Sequence, residues 1–266
     1  MAETRAPIVL IAGGRGMDRF KRPDPLLQAV FNAPRYSRGF PAPRYSRGFS
    51  RSTAGRPRVA YLGAASGDNA AFRILMSGLL KRAGAWEVTL APLCGRRGDV
   101  EEAKAVLEAS DLVFVSGGDV EEGMRVLEEK GMMPYLKRLH RAGKPFFGVS
   151  AGSIMLARTW IRWKDPDDDS SAELFPCMGF ARVLCDTHCE ADDWSELKAL
   201  LALSPVGAVG HGIVTGSAIS VDADGAVSAL GGEVHRFRRR AGGVVQIESL
   251  LPAKRPGAHG PGPISQ

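Results

Sequence analysis

The chain has 266 residues, a formal charge of +6 and four cysteines, which is length enough for a full α/β core and too few cysteines for a disulfide framework. The longest apolar run near the N-terminus, residues 8–12, is too short for a signal-peptide core or a membrane span. These features predict a globular protein of the reducing cytoplasm with no membrane partner.

The first predicted element is a strand over residues 8–12. The glycines that follow, Gly13, Gly14 and Gly16, are not a dinucleotide fingerprint, because position 19 is Arg. No Walker sequence occurs, so no cofactor is expected. Next comes a repeat: Ala33-Pro34-Arg35-Tyr36-Ser37-Arg38-Gly39-Phe40 recurs at 42–49. Two copies cannot stack into a solenoid, and the Pro, Gly, Ser and Arg composition reads as a loop insertion over residues 33–56. Residues 33–58 hold seven arginines and no acid, and subtracting them leaves the rest of the chain at −1. The basic balance therefore belongs to one segment and argues against a nucleic-acid partner.

Beyond the insertion, strand and helix patterns alternate. Apolar runs at 59–63, 88–91, 112–116 and 146–149 predict strands, and 70–83, 100–109, 121–130 and 133–142 predict helices. Continuous apolar strands joined by crossover helices imply an α/β fold with a mostly parallel sheet sandwiched by helices. In such a fold the site lies at the carboxyl ends of the strands. Two glycine-bearing loops fall there, Ser116-Gly117-Gly118-Asp119 and Gly148-Val149-Ser150-Ala151-Gly152.

The second loop lies between an apolar strand and an apolar helix, the setting in which G-x-S-x-G works as a nucleophile elbow. Its glycines permit the tight turn, Ser150 is the candidate nucleophile, and the Ala151 N–H points where an oxyanion would form. The Gly117-Gly118 pair lets backbone N–H groups approach a ligand, with Gly118 as a second oxyanion donor, while Asp119 caps the helix that follows.

A serine nucleophile needs a base. Of the five histidines, His188 is the best placed, in the loop Cys185-Asp186-Thr187-His188-Cys189 after an apolar run at 181–184. His140 lies on a charged helix face, His259 in the tail, and His211 and His235 in late strands. Asp165, Asp167, Asp168, Asp169 and Glu173 are all candidates for the orienting acid, and composition does not choose among them. Cys177, Cys185, His188 and Cys189 lack metal-ligand spacing, so no metal is expected. After residue 203 short strands at 207–213, 218–221, 226–230, 234–237 and 244–247 predict an antiparallel extension of the same sheet. The expected organisation is one hydrolytic domain over 1–251 and a disordered tail at 252–266.

These pieces resemble the dipeptidase E / cyanophycinase family of serine peptidases, within the class I glutamine amidotransferase-like fold. The resemblance spans residues 8–251 except 33–56 and rests on Val115–Asp119, Gly148–Gly152 and Asp186-Thr187-His188, with weaker matches at Gly210–Ile213 and Leu230–Gly232. It implies Ser150 as nucleophile, His188 as base and an oxyanion hole from Gly118 and Ala151. It places Asp165 as the triad acid, with Asp168, Asp169 and Glu173 kept open, and Gly117, Asp119 and Thr187 around the substrate. The expected substrate is a small peptide or amide. Three departures bear on it: 190–197 contains no arginine, Val214-Thr215 stands where the family has an acid, and Cys189 replaces an aromatic residue. An esterase using the same serine, and a non-catalytic binding or regulatory relative, remain the alternative readings. Oligomeric state is open.

Overall fold

A computed structural model describes residues 6–13, 22–32 and 56–253. The repeat, most of the expected insertion and nearly all of the expected tail lie outside these residues, as do Gly14 and Gly16.

A seven-stranded sheet carries the order β11-β10-β1-β5-β4-β2-β3. The five strands β1 (Ile8–Ile11), β5 (Phe146–Val149), β4 (Leu112–Val115), β2 (Arg58–Leu62) and β3 (Glu87–Ala91) run parallel. Two later strands, β10 (Ala218–Val221) and β11 (Val227–Leu230), add antiparallel to the β1 edge.

Period-two alternation puts each central strand into two cores at once. Ile8, Leu10, Ala60, Leu62, Val113, Val115 and Phe146 face one side. Val9, Ile11, Val59, Tyr61, Leu112, Phe114 and Phe147 face the other. The first core is covered by α3 (Val100–Ala109), α4 (Val120–Glu129), α5 (Met132–Arg141) and α6 (Ala151–Leu156). The second is covered by α1 (Pro25–Asn32) and α2 (Ala70–Ala83). In that core Phe147 stacks obliquely on Phe114 at 5.1 Å and meets Phe31 edge-on at 5.9 Å. The helices start where side chains satisfy their free N–H groups: Asn69 accepts from Phe72 N, Asp99 from Glu101 N and Glu102 N, and Asp119 from Glu122 N.

The C-terminal part departs from the expected extension. Only β10 and β11 join the main sheet. A separate four-stranded sheet has the order β13-β12-β9-β8, built from β8 (Leu184–Thr187), β9 (Val209–Ile213), β12 (Val234–Arg240) and β13 (Gly243–Leu250). Within it β8 and β9 are parallel. The reason is a third apolar cluster, in which Trp194 together with Leu197, Leu200 and Leu201 of α7 (Ser195–Ala202) packs on Phe237 and Ile161. Burying that helix requires a sheet face of its own. Residues 159–176 form a two-stranded antiparallel unit, β6 (Thr159–Trp163) and β7 (Ala172–Pro176), not anticipated from the sequence.

Candidate active site

Ser150 sits between β5 and α6 with φ 54° and ψ −127°, a conformation rare for a residue with a side chain. Neighbouring contacts hold it there. Ser150 N donates to Ile11 O at 2.9 Å. Flanking residues must be glycine: a Cβ on Gly148 would come within 2.6 Å of the Gly152 carbonyl, and one on Gly152 would come within 2.6 Å of Ser116 O. Strand and helix therefore approach more closely than any side chain allows. Ser153, fully buried, fixes the helix from below: its Oγ donates to Ile11 O and accepts from Ile11 N, both at 2.9 Å. Its hydroxyl is committed, whereas that of Ser150 faces the site.

The Ser150 Oγ lies 2.7 Å from His188 Nε2. His188 follows β8 with φ 47°, and its N–H donates to Ile213 O at 3.0 Å, continuing the β8–β9 ladder by one residue before the chain turns. The second sheet thus carries the imidazole to the carboxyl end of the first. Thr187 is only 1% exposed, so its side chain is packed inside rather than offered to a ligand.

The Ser116–Asp119 loop closes the other side of Ser150. A Cβ on Gly117 would stand 3.2 Å from Ser150 Cβ and 3.7 Å from Oγ. Gly118 has φ 145°, and a Cβ there would overlap the Ala65 carbonyl, so the loop rests directly on the 3₁₀ turn Ala64–Ser66. Asp119 N donates to Ala65 O at 2.8 Å, while the Asp119 carboxylate accepts from Glu122 N at the start of α4. The side chain expected near the substrate is thereby engaged as a helix cap. Among the described residues the N–H groups of Gly118 and Ala151 donate to no protein acceptor.

The candidate acids on the 159–176 unit are placed differently from the serine and histidine. Asp165 lies in the exposed connection between β6 and β7, where its carboxylate accepts from Asp167 N at 3.0 Å and its N–H donates to Ser171 Oγ. Asp168 accepts from Ser170 N and Oγ. Glu173 pairs with Arg162 at 2.6 Å and with Lys164 at 2.9 Å. Asp169 is exposed within the short 3₁₀ turn Asp169–Ser171. None of these carboxylates hydrogen bonds to His188.

Two other carboxyl groups flank the histidine along the chain, Asp186 on β8 and Glu190 in the turn that follows. Asp186, 2% exposed, accepts from Thr187 N at 2.7 Å through Oδ1, and its Oδ2 is buried without a hydrogen-bond partner. Burial pushes this carboxyl above the usual range, partly offset by the Thr187 N–H and the charge of His188. Glu190 is clamped by Thr215, which donates to it from both N and Oγ1. Burial opposes its charge, but the Thr215 donors and His188 bring its net position below the usual carboxylate range. Glu190 is not among the acids expected from the sequence. Its position two residues beyond the histidine was the available signal, but which way the turn folds was not visible. Cys189 donates from Sγ to Thr187 O at 3.3 Å, and burial pushes its thiol up, so it offers no thiolate beside the base. Among the described residues no three His, Cys, Asp or Glu side chains gather as a metal site.

A pyridoxal 5'-phosphate synthase subunit PdxT from Geobacillus kaustophilus (strain HTA426) is 33% identical over 73 residues, covering 27% of this chain and 37% of that protein. The corresponding subunit from Geobacillus stearothermophilus is 32% identical over 73 residues. This chain therefore aligns with little more than a third of the length of these curated relatives. Solved structures match over most of their length. A peptidase from an acI-B1 Actinobacterium superposes with a TM-score of 0.64 at 14% identity, covering 94% of this chain and 98% of that one. A candidate peptidase E from Listeria monocytogenes EGD-e gives a TM-score of 0.53, also at 14% identity, over 85% and 98%. At such identities the likeness is one of fold, the class I glutamine amidotransferase-like α/β fold. The model of Peptidase family S51 matches residues 46–228, a span that holds the Gly117-Gly118 loop, the Ser150 elbow and His188 together. The Ser150–His188 contact lies inside the matched span, and the chain belongs to peptidase family S51.

Proposed function

We propose that the protein is a serine hydrolase that cleaves a small peptide or amide through an acyl-enzyme, with Ser150 as nucleophile and His188 as general base. The observation that carries this reading is the 2.7 Å approach of His188 Nε2 to the Ser150 Oγ, on a serine held at φ 54°. Nε2 takes the hydroxyl proton as Oγ attacks the scissile carbonyl carbon. Negative charge then develops on the carbonyl oxygen, and the unengaged N–H groups of Gly118 and Ala151 are the donors suited to receive it. Collapse of the tetrahedral intermediate expels the amine, which leaves with the proton from Nε2. Water repeats the sequence in reverse roles and frees Ser150. Gly117 belongs to the substrate face, since any side chain there would press on Ser150. All four cysteines are unpaired, which supports a reducing compartment such as the cytoplasm.

The test is labelling of the full chain with a fluorophosphonate, which needs an activated serine but no knowledge of the substrate. Wild-type protein should label at one site. Ser150→Ala should remove the label, and His188→Gln should slow it by about 10²–10⁴-fold, both with unfolding curves close to wild type. Label that maps to Ser116 or Ser153, or that persists in Ser150→Ala, overturns the assignment. A wild-type protein that never labels favours a non-catalytic role.

A further inference from the structure

The second sheet carries a one-sided charge at the edge away from the candidate active site. Its order β13-β12-β9-β8 puts β8, which leads into His188, at one edge and β13 at the other. Strand β12 holds four arginines, Arg236, Arg238, Arg239 and Arg240, while its neighbours β9 and β13 hold one carboxylate between them, Glu248. Among the described residues no acid forms an ion pair with any of the four. The Nε atoms of Arg238 and Arg239 are sealed from solvent without a hydrogen-bond partner. Strand alternation sets Arg236, Arg238 and Arg240 on the face opposite Phe237, beside Ile247, Val245 and Gly243 of β13 in that order. Arg236 already reaches β13, where its Nε donates to Glu248 O at 2.7 Å. Val245 is 42% exposed, and a Cβ added to Gly243 would meet no atom within 4 Å, so the lane beside the arginines is open.

β13 is also an edge fit to receive a further strand. It runs eight residues, its register with β12 is unbroken from Gly243 to Ile247, and it carries neither Pro nor Lys, the residues that commonly blunt an exposed edge. Among the described residues no strand lies on its outer side. Free backbone groups on an edge are met by another extended backbone, and the arginine row selects one with carboxylates on alternate residues. We propose that β13 is a docking edge for an extended acidic segment of a partner protein or peptide, which adds as a strand along Gly243–Ile247 and lays its carboxylates against Arg236, Arg238 and Arg240. Charge argues against the occupants this chain could itself supply. A second copy of β13 brings one Glu248 together with a second row of four arginines. Residues 254–266 hold Lys254, Arg255 and three prolines with no acid, and the charges in residues 33–55 are all basic. Two strands separate this edge from β8, so the proposal is independent of the Ser150–His188 reading.

The experiment measures fluorescence anisotropy of a fluorescein-labelled peptide of alternating Glu and Thr, titrated at low salt with the full-length protein. Two control peptides separate charge from strand pairing: one has Lys in place of Glu, and one keeps every Glu but has Pro in place of Thr, so it cannot form the ladder. An oligothymidylate of equal charge tests for a general anion surface. The Glu–Thr peptide should bind wild type, the controls and the oligothymidylate should bind at least about 10-fold more weakly, and added salt should weaken binding. Arg238→Gln combined with Arg240→Gln should lower affinity by about 3- to 10-fold. Val245→Glu, which sets the protein's own carboxylate beside Arg238, should lower it by a similar factor, about 3- to 10-fold. Both variants should keep unfolding curves close to wild type, and the control peptides test the proposal on wild-type protein without any variant. Failure of wild type to bind the Glu–Thr peptide, equal binding of the Pro-containing copy or of oligothymidylate, or unchanged affinity in both variants overturns the inference. Sedimentation of wild type as a dimer that Val245→Glu dissociates also overturns it, because the edge then belongs to a second copy.

Discussion

Replacing Gly118 with alanine separates two things that this backbone position does at once. Its φ of 145° is costly for any residue with a side chain, at about 1–3 kcal/mol. The new Cβ would also overlap the Ala65 carbonyl, so the loop must lift off the 3₁₀ turn and loses the 2.8 Å bond from Asp119 N to Ala65 O, a further cost of about 1 kcal/mol. The expected destabilisation is therefore about 2–4 kcal/mol, read from urea unfolding. Lifting the loop also withdraws the Gly118 N–H from its place beside Ser150. If that group is an oxyanion donor, the labelling plateau should fall by about 10²–10³-fold. Gly131 is the control: it has φ 63°, and a Cβ added there would meet no atom within 4 Å. Gly131→Ala should cost only about 1–2 kcal/mol and leave labelling unchanged. A Gly118→Ala protein as stable as Gly131→Ala would refute the packing argument, and one that is destabilised but labels at the wild-type rate would remove Gly118 from the oxyanion role.

Two further perturbations test the frame around the site. Ser153→Ala should cost about 1–3 kcal/mol, because it leaves the buried Ile11 N–H and carbonyl without their side-chain partner; the surviving protein should still label at Ser150, and loss of the label with the fold intact would make Ser153 part of the chemistry. His211, buried on β9, is pushed down to about 4 by burial, from 6.5, so the unfolded chain takes up a proton that the folded chain refuses. Stability should fall as pH drops through that window, by about 2 kcal/mol at pH 5 relative to neutrality, before any contribution from carboxyl groups. Asp186 works in the opposite sense, since its raised carboxyl holds a proton more firmly in the folded state. Comparing wild type with His211→Asn isolates the histidine: equal losses in the two proteins between pH 7 and 5 would refute its assigned state.

Part of this fold is dictated by neighbouring residues alone. The parallel strands were legible because four or five apolar residues in a row, such as Leu112–Val115, have no solvated face and must be covered on both sides. The tight turn between β5 and α6 was legible because it leaves no room for side chains at 148 and 152, a requirement written directly into two glycines. The cap at Asp119 is equally local. The 159–176 unit was not legible, since in β6 only Ile161 is fully buried and the alternating residues are half-exposed, while its connection reads as an acidic loop. Nor was the split of the late strands into two sheets, which depends on Trp194, Leu197 and Phe237 finding one another across the chain. The same limit applies at the site. Several carboxylates between residues 165 and 190 are equivalent in sequence, because charged side chains carry no record of which face they meet. Only the tertiary structure spends Asp165, Asp168 and Glu173 on their own hairpin and turns Glu190 back onto Thr215, since that outcome is set by contacts between distant segments rather than by the residues on either side.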